Sequence, residues 1–360
     1  MSKAAELAAL IGSQSALENR NFIINGAMQV AQRGTSTTGS NSNNVFPACD
    51  RWKVGFTSGG TYDFSQSTDT PEGFSSSIKV KCASTDTSIA SGDEFIVQHR
   101  IEAQDLQRLA YGTSAAKNIT LSFYAKAVNK TGTYCVHIQK NDSTAAYIYK
   151  EYTLTTSWQR FELTFPANAV VQASGGAIAN DNGIGLIIMF ILMNGSSTQG
   201  TDAKDQWSTT NHRSSSSQVN FMDSTSNEWY ITGVQLELGE QATPFEHRSF
   251  ADELQRCKRY FQTYNEPPAR GTTSGGSTDR MAFMLPVTMR AAASVTMRGT
   301  LNWYDGAAVG TITGLSATYT EPHSVEFDST SFASGSSSAT RSMVIYNASA
   351  DGALSMDAEL

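Results

Sequence analysis

The feature that most constrains this chain is a long series of short segments whose apolar residues fall at every second position, with turn residues between them. Asp50-Arg-Trp-Lys-Val-Gly-Phe56 puts Trp52, Val54 and Phe56 on one face. Ile78, Val80 and Cys82 alternate in the same way, as do Ile119, Leu121, Phe123 and Ala125. Tyr134–Ile138, Tyr147–Leu154 and Trp158–Phe165 continue the series, and Trp229–Leu238 closes it with Ile231, Val234, Leu236 and Leu238 apolar. A period of two sends successive side chains to opposite faces of a strand, so each segment offers one face to a core and one to water. Repeated at this spacing, the pattern predicts an antiparallel β-sandwich of about eight strands. Within it only Glu102–Leu109 reads as helical.

Two segments depart from the pattern. Phe22–Val30 reads as a strand broken by Asn25-Gly26. Ile184–Met193 is apolar at nearly every position, so both of its faces need cover, from a helix or loop of this chain or from another subunit.

Helical signals flank the sandwich. In Lys3–Ile11 the residues Leu7, Leu10 and Ile11 form a stripe that Gly12 ends. A helix this short needs a partner surface, either its own domain or another protein. After the sandwich, Ser249 can N-cap a helix with Asp252 at the third position, running from Phe250 to about Tyr264 and stopping before Pro267-Pro268. Its apolar residues Phe250, Leu254, Cys257, Phe261 and Tyr264 are spaced 4, 3, 4 and 3. That is the period of a coiled-coil seam, which predicts a homotrimer with these helices on its axis; packing on the parent sandwich is the alternative.

Beyond a loop at Arg270–Thr278, strand candidates return at Phe283–Val287, Ala293–Met297, Val325–Phe327 and Ser342–Tyr346. The expected organisation is an attachment helix at 1–18, a sandwich at 19–248, a connecting helix at 249–266 and a smaller C-terminal β-sandwich-like unit at 267–360.

Composition excludes several functions. Net charge is −7, so nothing draws the chain to nucleic acid or anionic lipid. The longest apolar run, Ile184–Met193, is far short of the ~20 residues that span a bilayer. No signal peptide is read at the N-terminus, which sets the expectation of synthesis in a cytoplasm. Cys49, Cys82, Cys135 and Cys257 lack any CxxC spacing and are expected as buried free thiols. Charged residues make up 16% of the chain, against roughly 25% on average, so Ser, Thr, Asn and Gly must wet much of the surface.

Catalytic signatures are not found: no GxSxG elbow, HExxH, P-loop, GxGxxG or EF-hand pattern. The five histidines lie far apart, and His137, inside an alternating strand, is expected to face outward. Glu237, Glu240 and Glu246 form the one dense acidic group and read as a solvated turn rather than a paired acid and base. Asn180-Asp181-Asn182 and Asp202 with Asp205 are oxygen-rich loops without calcium-loop spacing. The chain is therefore expected to be no enzyme and to hold no cofactor and no metal. Tyr62, Trp207, Trp303 and Tyr304 sit in polar, turn-like sequence. A ring so placed can stack on a sugar, or fold back on the sandwich edge.

Asn19-Arg-Asn-Phe-Ile-Ile-Asn-Gly-Ala-Met-Gln-Val-Ala-Gln-Arg-Gly34, followed by Asp50-Arg-Trp52, resembles the start of bacteriophage tail-fibre and virion-appendage proteins. Leu121–Ala127, Trp158–Phe161 and Gly233-Val-Gln-Leu-Glu-Leu-Gly239 with Thr243-Pro-Phe-Glu246 are similar to the carbohydrate-binding-module jelly roll of that family. Arg256–Phe261 and Asp357–Leu360 are similar as well. The resemblance implies a trimeric virion protein, made in the host cytoplasm, anchored to other virion proteins by its N-terminal end and recognising a bacterial surface glycan without catalysis. Two other readings compete: a purely structural virion component, and a polysaccharide depolymerase. The matching residues are strand signatures, so no ligand-binding residue follows from them.

Overall fold

The computed structural model describes residues 19–265, 269–272, 280–334, 341–347 and 353–360. Leu7, Leu10 and Ile11 lie outside them, as do Pro267-Pro268. The chain divides into two compact units, the first running to Phe250 and the second comprising Ala251–Glu359.

The first unit carries strands β1 (Ser36–Ser40), β2 (Trp52–Thr57), β3 (Thr61–Ser67), β4 (Ser77–Ser84), β5 (Glu94–Glu102) and β6 (Ile119–Val128). It continues with β7 (Gly132–Lys140), β8 (Ala146–Leu154), β9 (Gln159–Phe165), β10 (Ile184–Asn194) and β11 (Glu228–Leu238). They form two antiparallel sheets, one ordered β1-β3-β4-β11-β6-β9 and the other β2-β5-β10-β7-β8. The alternating residues do what their period dictates: Trp52, Val54, Ile78, Val80, Ile119, Leu121 and Phe123 are all buried in one core between the sheets. On β11 the apolar residues change parity between Ile231 and Val234, and a bulge absorbs the extra residue. Gly233 supplies the positive φ (+62°) there, and a Cβ at that position would lie 2.6 Å from the Phe74 ring. A 3₁₀ helix spans Ala103–Leu109, where helix was expected.

The cover for the all-apolar strand comes from the same chain. Ile188, Phe190 and Leu192 of β10 face the main core. Ile187, Met189 and Ile191 on the other face pack with Ile96, Cys135, Tyr149 and Ala203. Ala203 belongs to the polar segment 195–218, which runs along β8 as a strap. Tyr149 N donates to Ala203 O (2.8 Å), Asp205 N to Tyr149 O (3.0 Å), and Tyr147 and Ser208 exchange bonds of 2.9 Å. Tyr149 Oη donates to Gly200 O at 2.7 Å. No second subunit is needed to cover this strand. His137 is on the outer side of its sheet, opposite Met189 and Tyr149, but the cover makes it fully buried. The expected outward exposure is thereby corrected.

Phe22–Val30 is not a strand. It is a turn-rich buckle organised by two asparagines. Asn25 is buried with φ +59°; its Nδ2 donates to Val30 O (2.8 Å) and Asp50 O (2.9 Å), and its Oδ1 accepts from Val30 N (3.0 Å). Trp52 Nε1 donates to the Asn25 carbonyl at 3.0 Å. The next residue must be glycine, because a Cβ on Gly26 would sit 2.2 Å from Val234 O. Asn21 Oδ1 accepts from Ile23 N and Leu236 N, at 2.9 and 3.1 Å, which ties the buckle to β11. The residues that carry the tail-fibre resemblance are thus internal fasteners.

The second unit opens with a helix at Phe250–Lys258, Asp252 and Glu253 in its first turn and Arg256 and Lys258 in its last, each suited to the helix dipole. It stops well short of Tyr264. Phe261–Tyr264 is strand β12, since Tyr-Phe-Gln-Thr-Tyr is rich in strand formers and finds a partner strand. The seam drawn through Phe250, Leu254, Cys257, Phe261 and Tyr264 is therefore broken: the last two are on a strand, Cys257 is buried, and Phe250 is exposed. The 4-3 spacing was a coincidence of a short helix running into an alternating strand.

Further strands are β13 (Arg270–Thr272), β14 (Arg280–Met284), β15 (Ser294–Arg298), β16 (Leu301–Tyr304), β17 (Val309–Glu321), β18 (Ser324–Ser334), β19 (Ser342–Asn347) and β20 (Ala353–Asp357). β20 lies between β12 and β15 in a three-stranded sheet, and β13-β14-β18-β17-β16-β19 close into a barrel. Closure removes the sheet edges that so small a unit would otherwise expose. Met281, Phe283, Leu301, Trp303, Ile312, Val325, Phe327, Met343 and Ile345 fill its core.

Candidate functional site

Of the four aromatic residues expected on loops, three belong to cores. Tyr62 is 0% exposed on β3, opposite Cys82, with its hydroxyl donating to Ser42 O at 2.9 Å and its ring against Phe56 and Phe95. Trp207, on the strap segment itself, is 2% exposed and packs edge-on against Tyr111 in the main core. Trp303 is 0% exposed inside the barrel. Polar neighbours misrepresent Tyr62 and Trp303 because a strand with one wet face is polar at every second residue, and Trp207 because its ring turns into the core from an otherwise polar loop. Tyr304 is different: it is 44% exposed.

Tyr304 is part of an outward-facing patch. Residues directly opposite one another in a β-ladder share a face. Tyr304 on β16 is opposite Val309 on β17 and Val344 on β19, and Val344 is opposite Arg270 on β13. Two residues along, Asn302 is opposite Thr311 and Tyr346. Tyr346 is 37% exposed. The rows Arg270-Val344-Tyr304-Val309 and Tyr346-Asn302-Thr311 run parallel, about 7 Å apart, and the longer crosses four strands over ~14 Å. Thr311 Oγ1 donates to Asn302 Oδ1 at 3.1 Å, which leaves the Asn302 amide N–H₂ group as a donor on the strand position opposite Tyr346. Two tyrosines, an amide and a guanidinium thus share one open face. Sequence reasoning missed Tyr346, although it falls out of phase with Met343 and Ile345.

Other surfaces are already engaged. Trp158 is half-buried; its Nε1 donates to Asp69 at 3.0 Å, and Lys126 lies 5.3 Å from its ring and 4.8 Å from that of Tyr230. The acidic group is structural. Glu237 is buried and accepts from Thr243 Oγ1 at 2.9 Å, and Asn118 donates to Glu240 at 2.7 Å beside a hollow of about 410 Å³. Glu246 accepts from the backbone N–H groups of Asn19 (3.1 Å) and Asn21 (2.9 Å). Asp181 accepts from Gly183 N, Asp205 pairs with Lys150 at 2.7 Å and Asp202 with His212 at 3.4 Å, so these loops do not converge on a common ion. Among the described residues no group of three or more His, Cys, Asp and Glu side chains could hold a metal.

A second, smaller hollow of about 200 Å³ opens on the outside of the six-stranded sheet. Ser36, Thr37 and Thr38 of β1, Asp63 and Ser65 of β3, and Lys79 and Lys81 of β4 line it.

No family model matches the chain, and no curated protein matches it. Among solved structures it is similar in outline to a family 4 carbohydrate-binding module, with 16% identity over 59% of this chain and 97% of the module, at a TM-score of 0.31. The family 22 module of Clostridium thermocellum Xyn10B gives 12% identity over 63% of this chain and 99% of the module, at 0.32. The enzymatically active domain of bacteriophage CBA120 tailspike protein 4 gives 14% identity over 61% of this chain but only 21% of its own length, at 0.31. These are likenesses of strand arrangement alone.

Proposed function

We propose that this chain is a bacteriophage virion fibre protein that recognises a bacterial surface glycan without catalysis, through the tyrosine face of its C-terminal barrel. The observation that carries the binding reading is the exposure of Tyr304 and Tyr346 on one rigid face around Asn302. Exposed rings offer the apolar faces of pyranoses a stacking surface, and the flanking amide fixes orientation by hydrogen bonds. The virion reading rests on the residues of the N-terminal buckle and of β11, whose similarity is to tail-fibre proteins. Attachment through residues 1–18 belongs to the same proposal.

The test is an array of bacterial surface polysaccharides probed with the full chain and with the Tyr304→Ala/Tyr346→Ala variant. The expected result is a small set of glycans bound by the parent and bound at least about tenfold more weakly by the variant, with no reducing ends released. An array without any bound glycan would replace this reading with a purely structural virion component. Released reducing sugar would replace it with a depolymerase.

A further inference from the structure

Most lysines with described partners on the first unit are spent on carboxylates: Lys79 on Glu228 (2.7 Å), Lys126 on Asp69 (2.6 Å), Lys150 on Asp205 (2.7 Å) and Lys204 on Glu151 (2.8 Å). Lys81 is not. It stands directly opposite Asp63 across β3–β4 and opposite Glu228 across β4–β11, yet among the described residues it pairs with neither. Glu228 is turned to Lys79 and to Tyr230 Oη, which donates to it at 2.7 Å. Asp63 uses one oxygen, accepting from Gly39 N at 2.8 Å, and among the described residues its Oδ2 is unspent. Opposite charges in register on neighbouring strands ordinarily close on each other. Here they flank a hollow instead.

The hollow has a structural cause. β1 shifts register between Thr37 and Ser40, with Gly39 at φ +59°, so the edge strand bends around Asp63. Thr37 Oγ1 turns away to donate to Pro47 O at 2.7 Å. The hydroxyls of Ser36, Thr38 and Ser65 make no described hydrogen bond and rim the same space, Ser36 and Ser65 being directly opposite. A carboxylate oxygen that can only accept, an ammonium that can only donate and three hydroxyls that do both therefore converge without serving one another.

With Lys79 spent on Glu228, the remaining charges of the hollow, Asp63 and Lys81, balance, which favours a neutral ligand. Among the described residues no aromatic ring lines the hollow, so recognition there comes from hydrogen bonds. We infer that this hollow is a second carbohydrate site, which holds one neutral pyranose by a vicinal diol: one hydroxyl donates to Asp63 Oδ2, its neighbour accepts from Lys81 Nζ, and the Ser36, Thr38 and Ser65 hydroxyls contact the remaining oxygens. The site lies on the sandwich and does not depend on the barrel face.

The experiment is a nuclear-magnetic-resonance titration of the full chain with methyl pyranosides of glucose, galactose, mannose and rhamnose. It is repeated with methyl glucuronide, with a sugar whose vicinal hydroxyls are methylated, and with open-chain sorbitol. The expected result is saturable shifts at Ser36, Thr38, Asp63, Ser65 and Lys81 with at least one neutral pyranoside, with a dissociation constant of order 1–10 mM. Asp63→Asn keeps the acceptor for Gly39 N, and Lys81→Met keeps the aliphatic stem. Each is expected to weaken binding about tenfold or more. The Tyr304→Ala/Tyr346→Ala variant should bind at this hollow as the parent does, so failure of the barrel reading would not remove this response. The inference is overturned by an absence of saturable shifts with every neutral pyranoside. It is equally overturned by shifts that survive both substitutions, or by methylated sugar, glucuronide or sorbitol binding as well as the free pyranoside.

Discussion

Trp303 and Tyr304 are adjacent on one strand and opposite in environment: the indole is sealed in the barrel core and the phenol stands in solvent. The period of two separates a stability role from a surface role across a single peptide bond. Trp303→Ala should cost ~3–5 kcal/mol by leaving a large cavity, whereas Tyr304→Ala should stay within about 0.5 kcal/mol. Denaturant melts of the two variants check this. Equal loss from both would mean that Tyr304 packs against something and is no free surface.

Asn25 is the second test, because its buried amide joins three chain segments. Asn25→Ala removes the acceptor of Val30 N and one donor each from Val30 O, which keeps its bond from Asp50 N, and from Asp50 O, and it places alanine at a positive φ, at ~2–4 kcal/mol. Asn25→Asp is nearly isosteric, keeps the bond from Val30 N, and turns an oxygen toward two carbonyls. It should destabilise at least as much as alanine. A milder effect of aspartate, read from the same melts, would show that shape rather than the amide donors holds the buckle.

How far the fold was legible follows from what each residue had to satisfy. Trp52, Val54 and Phe56 or Ile119, Leu121 and Phe123 answer to one core, and their spacing alone places them. The strap over β10 was illegible because its contacts are mostly backbone bonds made by a polar segment, and Ala203 is its one residue in that cluster. Tyr62 was misplaced because Thr61 and Asp63 beside it face water, a feature of every half-wet strand. Phe261 and Tyr264 were misplaced because a 4-3 spacing matches both a helix and a helix followed by a strand; only the pairing of β12 with β20 separates them. The hollow at Asp63 and Lys81 depends on the register of β1 against β3, which no local pattern encodes.

The thiols give a chemical check on burial. Cys49, Cys82, Cys135 and Cys257 are free and buried. Burial, with nearby carboxylates adding, raises Cys82 to about 11 and Cys135 to about 12, and holds Cys49 far above its usual value. The thiolate is the reacting form, so at pH 8 the folded protein should be inert to a disulfide reagent. All four thiols should react on unfolding. One equivalent consumed at once under native conditions would contradict the packing around that residue.

Acid should loosen the sandwich through its buried histidines. Burial, with the Arg213 guanidinium adding, lowers His137 from 6.5 to about 3, and neither ring nitrogen has a hydrogen-bond partner among the described residues. His99 is also held well below its usual value, by burial and then by Arg51, although its Nε2 bonds with Ile24 O at 3.0 Å. A folded-state pKa below the unfolded one favours the neutral ring, so the contribution is complete above about pH 6.5. Between pH 6.5 and about 3 the unfolded chain binds the extra proton, and stability falls as pH falls, by ~1.4 kcal/mol per pH unit for each such histidine. His137→Leu removes one proton from this balance and replaces an unpartnered polar ring, opposite Met189 and stacked on Tyr147, with an apolar side chain. The expected outcome is unchanged or higher stability at pH 7 and a slope between pH 4 and 6 shallower by one histidine's share. Guanidinium melts at half-unit pH steps measure both. An unaltered slope would mean that His137 is already protonated in the fold, and the strap over β10 would then have to admit water to its ring.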